Sequence, residues 1–302
     1  MLHALSISKK GSVLLDFDRI NISKNFYWID VINPNSDEIN KINRKIKISL
    51  NDLKYTLDSR EKPRVDIRDK YSLIILRATN GTSISPIGVI VSKHFIITIH
   101  KDEIPSLKSL IEQESHLHHE LNHIVYEIIL GLIRDFSRII EDLDIKLDHV
   151  EEKAIKLDSN MEQMFGLKKS MIYLRKALTS NREVIEIIVK GNVPLLKEKD
   201  MFNMMFIEIS QLIDTEELIK DRLTSVLEIH LSSISNKLNE VMKSFTVIAS
   251  LLLMPMLITG IYGMNFRVLP LSQSDYGFWI SLGIMILSVT IMLLFFKLRK
   301  WI

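Results

Sequence analysis

The chain has 302 residues, with 39 Lys and Arg against 37 Asp and Glu, and its formal net charge of +2 is too even to single out a partner. It contains no cysteine, which excludes disulfides, thiolate metal sites and cysteine nucleophiles together. Hydrophobic residues make up 47% against 25% charged, and the excess is concentrated in about the last sixty residues, leaving an ordinary soluble composition elsewhere.

The opening residues, with Lys9 and Lys10 after a short mixed stretch, lack the apolar core of a signal peptide. Runs rich in Ile, Leu, Val and aromatics lie at Leu2 to Ile7, Ser12 to Phe17, Phe26 to Val31, Tyr71 to Thr79, Ile84 to Ser92 and Phe95 to His100. Lys9-Lys10-Gly11 separates the first two, and Asn80-Gly81 is a hairpin signal between the fourth and fifth. Between the third and fourth runs, Ser36 to Leu57 places Ile39, Ile42, Ile46, Leu50 and Leu53 at three- and four-residue steps. Ser36 is the expected N-cap there, with Glu38 in the first turn. These features predict an α/β domain with a mixed sheet over residues 1–104.

From Pro105 to about Lys156, the apolar positions Leu117, Leu121, Ile124, Ile128, Leu132, Phe136, Ile139, Leu143 and Leu147 predict one helix of about fifty residues. Asp158-Ser159-Asn160 breaks it, a return helix runs from about Met161 to Val189, and Gly191-Asn192-Val193-Pro194 ends that one. Residues 105–199 therefore read as a long helical hairpin. A last helix starts near Asp200 and meets no Gly or Pro before Pro255, so a stalk over 200–243 is expected to continue into the apolar run as one rod of roughly 90–100 Å.

Two apolar runs, Phe245 to Phe266 and Tyr276 to Phe296, are each long enough to cross a bilayer core of roughly 30 Å. A loop of about nine residues makes them a hairpin with both flanks on one side of the membrane. Lys237 and Lys243 precede the first run and Lys297, Arg299 and Lys300 follow the second, while the loop has Arg267 against Asp275. By the positive-inside bias both termini are expected in the cytoplasm of a multi-pass inner-membrane protein, with Asn265 at the outer mouth. The hairpin divides into a first transmembrane helix over 244–266, an outer loop over 267–275, a second transmembrane helix over 276–296 and a basic tail over 297–302.

The first run closes on Thr259-Gly260-Ile261-Tyr262-Gly263-Met264-Asn265-Phe266. A helix end carries unpaired carbonyls and the negative pole of the helix dipole, so it favours cations. A ring of Asn265 amide oxygens, one from each of several copies, makes a neutral oxygen cage suited to a Mg²⁺ ion that keeps its water. The competing reading is a plain C-cap, since Gly and Asn end many helices for conformational reasons alone.

Tyr262-Gly263-Met264-Asn265-Phe266 within the first of two C-terminal spans, followed by a short loop and a tail ending Lys300-Trp301-Ile302, resembles the CorA family of divalent-metal ion channels. The stretch Leu231 to Lys243 is similar to that family's pore-helix entrance. Tyr27-Trp28-Ile29-Asp30-Val31 with Pro34, and Arg60-Glu61-Lys62-Pro63-Arg64-Val65, resemble its cytoplasmic domain more loosely. The resemblance implies a funnel-shaped homopentamer in a lipid bilayer, with Tyr262, Gly263, Met264 and Asn265 as selectivity filter and Mg²⁺ as the transported ion. It implies no organic cofactor and no nucleic-acid partner. Glu228, Ser235, Asn239, Met242, Thr246, Ala249, Leu253, Met256 and Gly260 follow one face toward Asn265 at three- to seven-residue intervals. Read without the family, they form a packing seam. The resemblance makes Asn239 and Glu228 polar rings of the pore, and Met242, Leu253, Met256 and Gly260 its gate, blocking ions by dewetting.

Departures from the family pattern are also visible. Pro255 lies one residue later than usual, Met256 takes a place often held by a pore Thr, Pro270 is followed by Leu271 rather than Glu, and a stalk position that holds a regulatory Asp in some members is Met204, with Asp200 and Glu208 the nearest carboxylates.

His116, His118, His119 and His123 share too few neighbouring ligands for a transition-metal site and are expected on a solvated helix face. The carboxylate run Glu141, Asp142, Asp144, Asp148, Glu151 and Glu152 is likewise expected to be solvated, or to concentrate divalent ions near the inner mouth. No phosphate-binding Gly loop, HExxH pattern or nucleophile elbow is present, so an enzyme is not expected. The expected function is passive Mg²⁺ uptake, extending to Co²⁺ or Ni²⁺. Its rivals are a Zn²⁺ transporter of the same family and a membrane-anchored coiled-coil scaffold that moves no ion.

Overall fold

The computed structural model of the protein describes residues 2–8, 11–15, 17, 20, 26–112, 120–155, 161–265, 269–271 and 274–301. The chain forms two compact units, one of Met1–Lys153 with Asp158–Val226 and another of Ala154–Leu157 with Leu227–Ile302.

The first unit is built on a seven-stranded sheet. Its strands are β1 (Leu2–Ser8), β2 (Gly11–Leu15), β3 (Phe26–Ile32), β4 (Arg64–Ile67), β5 (Ser72–Thr79), β6 (Ile84–Val91) and β7 (Phe95–His100), in the order β2-β1-β3-β7-β6-β5-β4. Only β3 and β7 run parallel, Tyr27 lying opposite Phe95 and Ile32 opposite His100, and every other neighbour is antiparallel. The sheet is mixed, as the turn signals predict. Alternation along β3 sends Tyr27, Ile29 and Val31 into a core with Leu73, Ile75, Ile97 and Ile99. That core is closed by Ile42, Ile46, Ile48 and Leu53 of the segment that follows β3.

That segment differs from its expectation in two ways. Asn35, not Ser36, is the N-cap of α1 (Ser36–Ile46): its side chain accepts from the Glu38 N–H at 2.8 Å, and the Glu38 carboxylate accepts from the Asn35 N–H at 2.9 Å. Helix α1 then stops at Lys47, which takes the left-handed conformation at φ 60°, and a separate α2 (Leu50–Tyr55) begins. The interruption lets Ile48 turn inward, while the Asn43 side chain donates to its carbonyl at 2.6 Å. Strand β4 is absent from the expected runs because its charged residues, Arg64 and Asp66, bond each other at 2.8 Å along a short edge.

On the opposite face of β3 and β7 a polar chain is fully buried. Trp28 Nε1 donates to Thr98 Oγ1 at 3.1 Å, Thr98 donates to Asp30, and His100 Nε2 lies 3.0 Å from Asp30 Oδ1. His100 Nδ1 meets the Asp102 carbonyl at 2.6 Å. An acceptor at each ring nitrogen favours a proton on both, an arrangement that stabilises the charged ring beside Asp30.

In place of the expected fifty-residue helix there are two, α3 (Pro105–Glu112) and α4 (Leu121–Ile155), and Glu120 is not helical. The break assigned to Asp158-Ser159-Asn160 lies outside the described residues. Helix α5 (Met161–Val189) has the expected limits and ends in a Schellman motif, with Asn192 N–H on the Ile187 carbonyl and Gly191 N–H on that of Ile188 at 2.9 Å. Gly191 stands at φ 76°, the position that requires glycine. Helix α5 docks on β5 through Asn181, whose side chain accepts from the Arg77 N–H at 2.7 Å and donates to the Arg77 carbonyl at 2.9 Å.

Helix α6 (Lys199–Tyr262) contains Pro255. Its first half buries Phe202, Met205, Ile209, Glu216, Ile219, Leu223 and Val226 at three-, four- and seven-residue steps. Glu216 is paired with Arg175 of α5 at 2.8 Å.

The second unit holds the rest of α6 and α7 (Gly277–Leu298). Both helices contain an eighteen-residue apolar window of which 6% is buried within the chain, unlike the core helix of a soluble protein. Several span hydroxyls bond within their own helix, Thr246 on the Met242 carbonyl at 2.8 Å, Thr259 on Met256 at 2.9 Å and Ser288 on Met285 at 2.7 Å, which suits a surrounding without water.

Candidate functional site

From Glu228 onward, the exposed face of α6 resolves into two series at seven-residue steps. One is Glu228, Ser235, Met242, Ala249, Met256 and Gly263; the other is Ser232, Asn239, Thr246, Leu253 and Gly260. Interleaved in this way they form the a and d positions of a heptad, a period of 3.5 that describes one helix meeting copies of itself or close parallels. Met242, Leu253 and Met256 are 62%, 61% and 68% exposed in the single chain. Ser232 is a member that the expected pore face omits; its signal is its place seven residues before Asn239.

The two kinds of residue on this seam have different needs. The Thr246 hydroxyl is already bonded to its own helix, whereas the Asn239 amide is exposed and has no hydrogen bond among the described residues. Glu228 and Ser235 are exposed on the same face. At Gly260, an added methyl would meet nothing within 4 Å, so the seam is reduced to bare backbone two residues before the helix ends.

The end itself is not a conventional stop. Gly263 N–H reaches the Thr259 carbonyl at 2.9 Å and Met264 N–H the Ile261 carbonyl at 3.3 Å, which leaves the Gly260 and Tyr262 carbonyls with no bond from a described residue. Neither Gly263 nor Asn265 takes a left-handed conformation, in contrast to Gly191 at the end of α5. The left-handed stop that uses glycine or asparagine requires that conformation at one of them, so that motif does not account for the two residues here. Gly263, Met264 and Asn265 are all exposed, and Tyr262 is half-buried. Beyond them Phe266 and Arg267 lie outside the described residues. The loop closes where Ser274 N–H meets the Leu271 carbonyl at 3.2 Å and Gly277 N–H the Ser274 carbonyl at 2.9 Å. Gly277 is obligatory there because a side chain would run into the Leu271 carbonyl.

Away from the spans, the other candidates fare less well. His116, His118 and His119 lie outside the described residues; His123 sits 3.7 Å from Glu127, and among the described residues no group of three His, Asp or Glu is arranged to hold a metal. The carboxylate run on α4 is not simply solvated: Arg222 of α6 binds Asp144, Asp148 and Glu151 at 2.6, 2.7 and 3.0 Å, and Lys146 holds Asp142 at 2.5 Å. Hydrogen bonds from Arg222 to Asp148 and Glu151 raise the guanidinium's pKa. Met204 is exposed on α6, with the carboxylates of Asp200 and Glu208 on neighbouring turns.

Comparison with known proteins is consistent over the whole length. The profile of the CorA-like Mg²⁺ transporter protein family matches residues 23–299. The cobalt/magnesium transport protein CorA of Methanocaldococcus jannaschii is 31% identical over 100% of both chains, and that of Thermotoga maritima 25% over 91% of this chain and 83% of its own. The complete structure of the CorA magnesium transporter from Methanocaldococcus jannaschii superposes with a TM-score of 0.91 at 30% identity, covering 100% of this chain and 99% of that one. A relationship that spans the α/β domain, the long helix and both apolar helices alike means that this chain belongs to the CorA family.

Proposed function

We propose that the chain forms a homopentameric channel for passive uptake of Mg²⁺, and of Co²⁺ as a second substrate, with both termini in the cytoplasm. Two spans per copy cannot enclose a pore, so a closed ring is required. The names of the relatives in Methanocaldococcus jannaschii and Thermotoga maritima supply the ions. In this reading residues 1–104 and 105–199 form the cytoplasmic domain, 200–243 the stalk, 244–266 the pore helix and 276–296 the lipid-facing helix.

The observation that carries the proposal is the end of α6. Its carbonyls that take no bond from a described residue, its exposed Asn265 amide and its lack of a left-handed stop suit an oxygen ring. Tyr262, Gly263, Met264 and Asn265 form the filter, where neutral oxygens bind the water shell of an ion that dehydrates reluctantly. Asn239 and Glu228 add polar rings on the cytoplasmic side, and Met242, Leu253, Met256 and Gly260 form a constriction closed by dewetting. The driving force is the membrane potential, worth roughly 4.6 kcal/mol per 100 mV for a doubly charged ion.

The test is flux into proteoliposomes under an inside-negative potential, compared for Mg²⁺, Co²⁺ and Zn²⁺. Mg²⁺ and Co²⁺ should enter and Zn²⁺ should not, and Asn265→Ala should abolish entry while leaving assembly intact. Unchanged flux in that variant refutes the filter, and no flux of any dication in the wild type favours the scaffold.

A further inference from the structure

The turn that ends α7 is unlike a simple helix exit. Lys300 N–H bonds to the Lys297 carbonyl at 3.1 Å and Trp301 N–H to the Phe296 carbonyl at 3.0 Å, the bonding pattern of a Schellman motif. The left-handed position, where glycine is the usual occupant, is held by Lys300 at φ 56°. A ring stack offsets that disfavoured backbone. Trp301 lies over Phe296 with centroids 5.7 Å apart and planes 20° from parallel, and Phe296 is 5% exposed. The Arg299 guanidinium lies 5.8 Å from the centre of the Phe295 ring.

The consequence is one short turn that carries three cations and an indole. Lys297, Arg299 and Lys300 are all exposed, and none forms an ion pair among the described residues. Helix α7 has 22 residues, about 33 Å at 1.5 Å each, so a turn at its end emerges from a bilayer core of roughly 30 Å at the level of the headgroups. Tryptophan prefers that depth, and a glycine in place of Lys300 would make the same stop without the third charge.

We infer that this turn is a binding site for the phosphate diester of an anionic phospholipid. Lys297, Arg299 and Lys300 take the phosphate oxygens, and the Trp301–Phe296 stack holds the turn that carries them at the glycerol level. Free phosphate offers the same oxygens but has no reason to gather at the end of an apolar helix, whereas a lipid arrives there by its own partitioning. The site uses no part of the ion pathway, so its test is separate from that of transport.

The full-length oligomer in detergent, titrated with phosphatidylglycerol or phosphatidylcholine, is followed by native mass spectrometry, which counts retained lipids and reports the oligomer at once. Each Lys or Arg near an anionic surface contributes about a factor of five, so phosphatidylglycerol should be preferred on the order of a hundredfold. The triple variant Lys297→Gln, Arg299→Gln, Lys300→Gln should lose that preference. Trp301→Ala keeps every charge, yet should lower the preference several-fold, and Trp301→Phe, which keeps the stack, should restore most of it. Retention by Trp301→Ala equal to wild type reduces the turn to diffuse charge and overturns the site. Retention by the triple variant places the lipid elsewhere, and release of phosphatidylglycerol by excess inorganic phosphate transfers the site to the free anion; either result overturns the assignment.

Discussion

His100 is 1% exposed and touches acceptors with both ring nitrogens. Burial opposes its charge, but the hydrogen bond and charge of Asp30, with the Asp102 carbonyl, outweigh it and raise the pKa above the ordinary 6.5. Because the folded value is the higher one, the stabilisation is complete below the unfolded pKa of 6.5 and is lost as pH rises through the folded pKa. Thermal unfolding measured from pH 6 upward should show the midpoint falling across that window, and His100→Gln should flatten the profile while lowering it at acid pH. A midpoint independent of pH in both proteins removes the imidazolium. Asn265 was legible in the sequence because of where it stands, after an apolar run and before a short loop. The Asp30–His100 pair was not, because its members are 70 residues apart and only the parallel pairing of β3 with β7 brings them together.

Among the elements, the two long-helix endings give a contrast that can be measured. Gly191 closes α5 with a left-handed backbone, so Gly191→Ala should cost about 1 kcal/mol and lower the midpoint of unfolding. Gly263 has no left-handed backbone, although an added methyl would stand 3.2 Å from the Thr259 carbonyl oxygen: Gly263→Ala should cost less stability than Gly191→Ala and act mainly on flux. Equal loss of stability in the two variants would return Gly263 to a capping role. Helices α5 and α6 are joined by Arg175, which reaches Glu216 and Glu217 at 2.8 and 3.2 Å. The buried glutamate at this join has no signal in the sequence, since a charged residue breaks the apolar period there. The period also runs past two real boundaries. Lys47 ends α1 without a glycine or proline to announce it, and Glu120 stands outside helix although Leu117 and Leu121 keep the helical phase on either side of it.

For the whole molecule, the heptad on the second half of α6 makes the assembly testable with the chemistry that the chain lacks. With no native cysteine, Met242→Cys and Ser244→Cys each introduce one thiol, on the seam and on the opposite side of the same turn. In membranes, a short bis-maleimide should link Met242→Cys copies into a ladder ending at five, and leave Ser244→Cys as single chains on a denaturing gel. Reversal of that pattern puts the axis of assembly on another face. The α/β class, the long last helix and two apolar helices long enough to span a membrane were legible from periodicity and run length. The number of copies was not, since a 3.5-residue seam is compatible with several closed rings.

Strand β4 pairs with β5 only from Ser72 to Ile75, so the backbone of Arg77 projects past the end of its neighbour, and the Asn181 amide occupies the place of the missing strand. One side chain thereby blunts a sheet margin that would otherwise template a foreign strand. Asn181→Leu, close in volume but unable to bond, should shift freshly purified material toward high-molecular-weight aggregates on size exclusion.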